Sequence, residues 1–178
     1  MLAFATTNDK SHCRICSPSL SFFEFEKRGR GWKLVACDIS VIQERNWGIV
    51  SSDQLSVRPI SDDRYGVFLK HTTTSNGITV SYLSLFARIA DTFSQVLYVE
   101  TGSELFDSFK GIIGYSEDEE LESTALSWDS EYSIRPTEVG LYNLLIKRTG
   151  DVPKMVGNEE EYYFDGRWYV GSNSKMSN

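Results

Sequence analysis

Asn76-Gly77 stands between two apolar runs, residues 64–72 and 78–89. It constrains this chain more than any other pair. Both residues tolerate positive φ, and a two-residue turn of this type joins antiparallel strands whose twist it matches. Asp165-Gly166, between residues 162–164 and 168–170, repeats the signal near the C-terminus. A third turn, Gly29-Arg30-Gly31, separates residues 21–27, where Phe23 and Phe25 alternate with Glu24 and Glu26, from a second alternating run at 32–37. Three local hairpins spread over the length of the chain predict antiparallel β structure throughout.

The segments between them agree. Residues 78–89 place Ile78, Val80 and Tyr82 at alternate positions, and 93–101 set Val96, Tyr98 and Glu100 against Leu97 and Val99, so a meander follows the Asn-Gly turn. Residues 80–90 also match a helical template in part. Residues 54–60 carry Leu55 and Val57 on one face, but Pro59 has no ladder donor and predicts an edge or a strand end. Further strands are expected over 125–134 and 141–148, and 104–110 read as a loop or one short helix capped by Ser103. Nine or ten short strands without a fixed repeat give an all-β fold. The expected form is a single-domain antiparallel sandwich or strongly bent sheet with at most one short helix. Its boundaries are an N-terminal extension over 1–20, a β domain over 21–171 and a polar tail over 172–178.

Composition bounds function more than it identifies it. The 178 residues carry 18 Lys+Arg against 25 Asp+Glu, a net charge of −7 that argues against a nucleic-acid partner. Apolar stretches fall far short of the roughly 20 residues of a spanning helix. The charge is clustered: residues 100–131 hold ten carboxylates against Lys110 alone, net −9, while the rest of the chain is nearly balanced. Glu117, Asp118, Glu119, Glu120 and Glu122 form its densest part. Three readings apply to that run: a solvated loop, a surface that steers a basic protein partner, or a calcium loop. The last lacks the Asp-x-Asp-x-Asp-Gly spacing.

His12-Cys13-Arg14-Ile15-Cys16 gathers an imidazole and two thiols, and Cys37 follows later. A local Cys13–Cys16 disulfide or inert thiol pair, a zinc site and a redox pair all use such residues. The second ligand pair of a structural zinc site is missing, and Ser17-Pro18 after Cys16 makes a turn where a redox motif would begin a helix. No resident cofactor is therefore expected. The histidine and Cys-x-x-Cys-x-Pro of this segment, the aromatic strand with Phe22, Phe23 and Phe25, the step at Trp32 and the later Tyr65-Gly66 resemble an uncharacterised group of exported, β-rich bacterial proteins. The likeness covers about the first hundred residues, rests on no catalytic motif, and implies a periplasmic or exported location and little about activity. A signal segment is not evident in residues 2–5, so a cytoplasmic location, or a mature chain restarted at Met1, is the alternative.

No nucleophile elbow, zinc-protease helix, phosphate loop or dinucleotide fingerprint occurs. Cys13 with His71 would be the sole thiol–imidazole pairing of interest, and His71 is expected to be an ordinary surface or edge residue of a strand. Asp62-Asp63 reads as a turn. Among the tryptophans, Trp32 and Trp168 belong to hairpins and are expected to pack across strands, whereas Trp47 and Trp128 lie nearer loops and are the candidates for an exposed binding face. Together these features favour a protein-binding module, in its most concrete form an immunity protein or inhibitor that neutralises a bacterial toxin or hydrolase. The alternatives are a metal- or thiol-dependent enzyme built on His12, Cys13 and Cys16, and a carbohydrate-binding module.

Overall fold

A computed structural model describes residues 2–7, 19–43, 50–75, 77–105, 127–154 and 156–172. The strands in chain order are β1 (Leu2–Thr7), β2 (Ser19–Arg28), β3 (Gly31–Gln43), β4 (Leu55–Pro59), β5 (Tyr65–Ser75), β6 (Ile78–Ile89), β7 (Thr92–Leu105), β8 (Trp128–Arg135), β9 (Asn143–Gly150), β10 (Glu159–Phe164) and β11 (Tyr169–Gly171). One 3-10 turn, Ser52–Gln54, precedes β4. The fold is all-β and single-domain, with a three-stranded sheet in the order β1-β2-β3 and an open eight-stranded sheet that runs from β11 to β4 in sequence order. Two compact units share the long strands β5, β6 and β7: residues 1–70 with 84–97, and 71–83 with 98–178.

The hairpin signals fall where expected. Gly77, at φ +77°, and Gly166, at φ +106°, lie between β5 and β6 and between β10 and β11; Asn76 is outside the described residues. Asp165 tightens the second turn by accepting the N–H groups of Arg167 and Trp168, each at 2.8 Å. Those bonds hold its carboxyl below the usual carboxylate range. Pro59 ends β4, an edge strand, so its missing donor costs no ladder bond. The helical reading of 80–90 is overturned: these residues lie in β6 apart from Ala90, which begins the turn to β7. Consecutive Leu85, Phe86 and Ala87 are all buried, so both faces of the strand are covered and the period-two pattern is blurred. Glu104 and Leu105 extend β7 instead of starting a helix. β1, within the expected extension, is the first strand of the small sheet, pairing Leu2 with Glu24 through Thr7 with Ser19.

In the first unit, Leu20 and Phe22 of β2 pack on Leu55, Val67, Leu69, Phe86 and Phe93. The Phe22 ring stacks on Phe86 at 5.5 Å and on Phe93 at 5.2 Å. Burying such a side chain contributes about 1.5–3 kcal/mol by transfer alone. Glu24 shares the inward face of β2 with Phe22, and its carboxylate accepts from Arg88 Nη1 at 2.8 Å. Asp38 Oδ2 of β3 accepts the Phe93 N–H at 2.8 Å, a second polar tie across this core.

In the second unit, β8, β9 and β10 form a continuous ladder in which Glu131 pairs with Lys147 and Lys147 with Glu159. Leu144 and Ile146 are among its buried apolar side chains. Beside them lies Arg148, 2% exposed, with Nη2 3.2 Å from Glu160 Oε2 and Nη1 donating to the carbonyls of Val156 and Gly157. The Tyr162 hydroxyl donates to the same Glu160 oxygen at 2.8 Å. Burial, then this carboxylate, push the Tyr162 hydroxyl up to about 12. Gly171 leaves the space that Glu160 fills, since a Cβ there would overlap the carboxylate.

Candidate functional site

The acidic run Glu117, Asp118, Glu119, Glu120 and Glu122, together with Trp47, His12, Cys13 and Cys16, lies outside the described residues. The tryptophans inside them reverse the expectation. Trp128, read as an exposed loop-side residue, opens β8 and is buried at 6%, because Ser103 of β7 and Gly150 of β9 flank it on both sides. Trp32 and Trp168, read as packed hairpin residues, are 54% and 43% exposed. The cross-strand partner of Trp32 is Lys27, not an apolar side chain, and Trp168 sits in the β10–β11 turn under the Arg167 guanidinium.

His71 is also corrected. It is buried in β5, within an aromatic row that crosses three strands, with Tyr82 of β6 at 5.3 Å and Tyr98 of β7 at 5.9 Å. Tyr82 and Tyr98 stack at 5.0 Å. Burial, with Glu100 as a smaller cause, raises the Tyr82 hydroxyl. The Glu100 carboxyl is itself raised by burial against the opposing pull of Arg148. Asp62-Asp63 forms the expected turn: Ser61 Oγ donates to Asp63 Oδ1 at 2.7 Å and accepts the Arg64 N–H at 3.1 Å.

The surface with the most unusual composition is the outer face of the β2–β3 hairpin. The register pairs Phe23 with Cys37, Phe25 with Leu34 and Lys27 with Trp32, which puts these side chains on the face opposite Phe22. Phe23 and Phe25 are half-buried, while Trp32, Leu34 and Cys37 are exposed. The register shift between Glu24 and Phe25 leaves Val35 without a directly opposed residue, and Val35 and Ile39 add exposed apolar area at 38% and 73%. β3 is the edge of its sheet. A long edge with apolar side chains is what proteins ordinarily blunt with charge, proline or a covering segment, because its backbone groups can pair with another strand. Cys37 is a free thiol in the middle of this face. The alternation of Phe23 and Phe25 was visible in the sequence, but that this face turns outward was not, since Leu20 and Phe22, on the other face of β2, carry the inward packing.

A cleft of about 320 Å³ in the same unit is walled by Glu24, Asp63, Arg64, Tyr65 and Arg88. Its charges are balanced, and Arg88 is already engaged by Glu24 and by Asp91 at 3.4 Å. Ala90 at its rim has φ +53°, a left-handed conformation rare for a residue with a Cβ. Among the described residues no cluster of three or more His, Cys, Asp or Glu side chains is placed to hold a metal, and no helix is long and apolar enough to cross a membrane. No known protein family, curated protein or solved structure matches this chain.

Proposed function

We propose that this chain is a protein-binding module that docks its partner on the outer face and free edge of β3. The observation that carries the reading is the cluster of exposed Trp32, Leu34, Val35 and Ile39 on an edge strand. Tryptophan dominates binding hot spots because it buries much area with few rotamers to freeze. An edge strand adds main-chain hydrogen bonds to an extended partner segment, while its alternate side chains fix the register. The partner is an extended apolar segment of a protein with net positive charge. The net −7 of the chain, concentrated around Glu117, Asp118, Glu119 and Glu120, accelerates encounter with such a protein without adding much to the final contact. An exported bacterial immunity protein or inhibitor, masking a basic toxin or hydrolase, is the narrower form of this proposal.

The test begins with co-purification of the product of the neighbouring reading frame. A stoichiometric complex is expected, weakened by about 2 kcal/mol or more in Trp32→Glu as for a hot-spot residue. Charge reversal at Glu117, Asp118, Glu119 and Glu120 is expected to slow association and flatten its salt dependence. A complex indifferent to Trp32→Glu removes β3 from the reading. A wild-type chain that dimerises, and is made monomeric by Trp32→Glu, reassigns the face to self-association.

A further inference from the structure

A second cavity lies within the unit made of residues 71–83 and 98–178, about 470 Å³ in volume. That size lies in the range of small-molecule sites, about 300–1,000 Å³. Its wall is unlike the rest of the protein. It is lined by the hydroxyl-bearing residues Thr79, Ser81 and Thr149 together with the acidic residues Glu104 and Asp129, and Trp128 borders it. Among the described residues no Lys or Arg contributes to that lining.

We infer that this cavity is a binding site for a neutral, hydroxyl-rich ligand, a sugar unit of the hexose or hexosamine class. Two carboxylates, with no cation among the described lining residues, disfavour phosphates, carboxylates and nucleotides, because an anion brought there would lose its hydration and meet like charge. Hydroxyl-dense walls likewise disfavour an apolar ligand. A sugar supplies what the wall lacks: several O–H donors for carboxylate acceptors, and hydroxyls that both give and receive bonds. The acceptors are available and held in place. Asp129 takes the Ser130 N–H with Oδ1 at 2.8 Å, which fixes the carboxylate, and Glu104 stands exposed near the end of β7. The backbones approach closely at its edge: Gly150 has φ +95°, and a Cβ there would come within 2.5 Å of the Ser127 carbonyl.

The experiment is saturation-transfer NMR on the full chain with glucose, galactose, mannose, N-acetylglucosamine and their β-linked disaccharides, followed by calorimetric titration of any that bind. At least one sugar is expected to be saturated by the protein, with affinity reduced about tenfold or more in Glu104→Gln and in Asp129→Asn, since a bond to a charged acceptor is worth about 1.5–3 kcal/mol. Both variants keep the shape of the side chain, and unchanged thermal melting confirms that the fold is intact. Arg167→Ala, in the β10–β11 turn outside this wall, is expected to bind as the wild type does. Failure of every sugar in the panel, or binding indifferent to both carboxylate variants, overturns the inference.

Discussion

Two arginine–glutamate pairs, one in each unit, are built from the same groups and differ in what surrounds them. Arg88 and Glu24 meet at 2.8 Å with side chains 30% and 34% exposed. Arg148 and Glu160 meet at 3.2 Å with side chains 2% and 12% exposed. Water still reaches the first pair, so either charge is partly solvated when the other is removed. The second pair has been taken out of water, and its desolvation is offset in part by the Val156 and Gly157 carbonyls and the Tyr162 hydroxyl, while Arg148 Nε finds no partner among the described residues. The shorter contact is therefore the weaker structural commitment. Distance alone ranks these pairs wrongly.

The largest expected effect breaks the buried pair. Arg148→Ala leaves Glu160 buried beside Tyr162 without its cation and is expected to destabilise the fold by about 3–5 kcal/mol, read as a drop in the urea midpoint. A loss near that of a surface pair would show that water reaches Glu160 in solution. Tyr162→Phe is the next largest, about 1–2 kcal/mol at neutral pH, through the bond to Glu160. The same variant tests the alkaline limb. The Tyr162 hydroxyl is raised from 10 to about 12, so the folded state holds its proton more tightly than the unfolded chain does. That contribution is fully present below pH 10 and is lost as the pH rises to about 12. Denaturation midpoints followed through this window should fall less steeply in Tyr162→Phe, with a residual slope from Tyr169, which burial also raises.

Arg88→Ala sharpens the comparison from the other side, with an expected loss of about 1 kcal/mol that shrinks in 1 M salt. A salt-independent loss of several kcal/mol would place Arg88 with Arg148 instead. The smallest effect is a gain. Ala90 holds φ +53° in the β6–β7 turn, so Ala90→Gly should relieve strain and raise stability by about 0.5–1 kcal/mol, visible as a small upward shift in the melting temperature. A lowered melting temperature would mean that the Ala90 methyl packs more than it strains.

Much of the fold was legible in local chemistry. Asn76-Gly77 and Asp165-Gly166 marked their hairpins because turn geometry depends on the few residues within the turn. Pro59 marked the end of an edge strand because the missing N–H is a property of the residue itself. Strand identity was harder where Leu85, Phe86 and Ala87 are buried on both faces, since alternation disappears when neither side meets water. The tryptophans were misread for a related reason: proximity to a turn says nothing about whether neighbouring strands flank a residue. Trp128 is enclosed by β7 and β9, whereas Trp32 stands opposite Lys27 on an edge.

By itself the sequence determined the antiparallel class, most of the strands and their turns, and the uneven distribution of charge, all set by residues close together along the chain. Only the tertiary structure decided that Phe22 packs inward while Phe23 and Phe25 turn out, and that His71 stands in a row with Tyr82 and Tyr98. The same holds for the gathering of Ser81, Ser103, Asp129 and Thr149 from four strands around one cavity. Those outcomes depend on which strands become neighbours and which sheet covers which face, and no local preference of a residue encodes either.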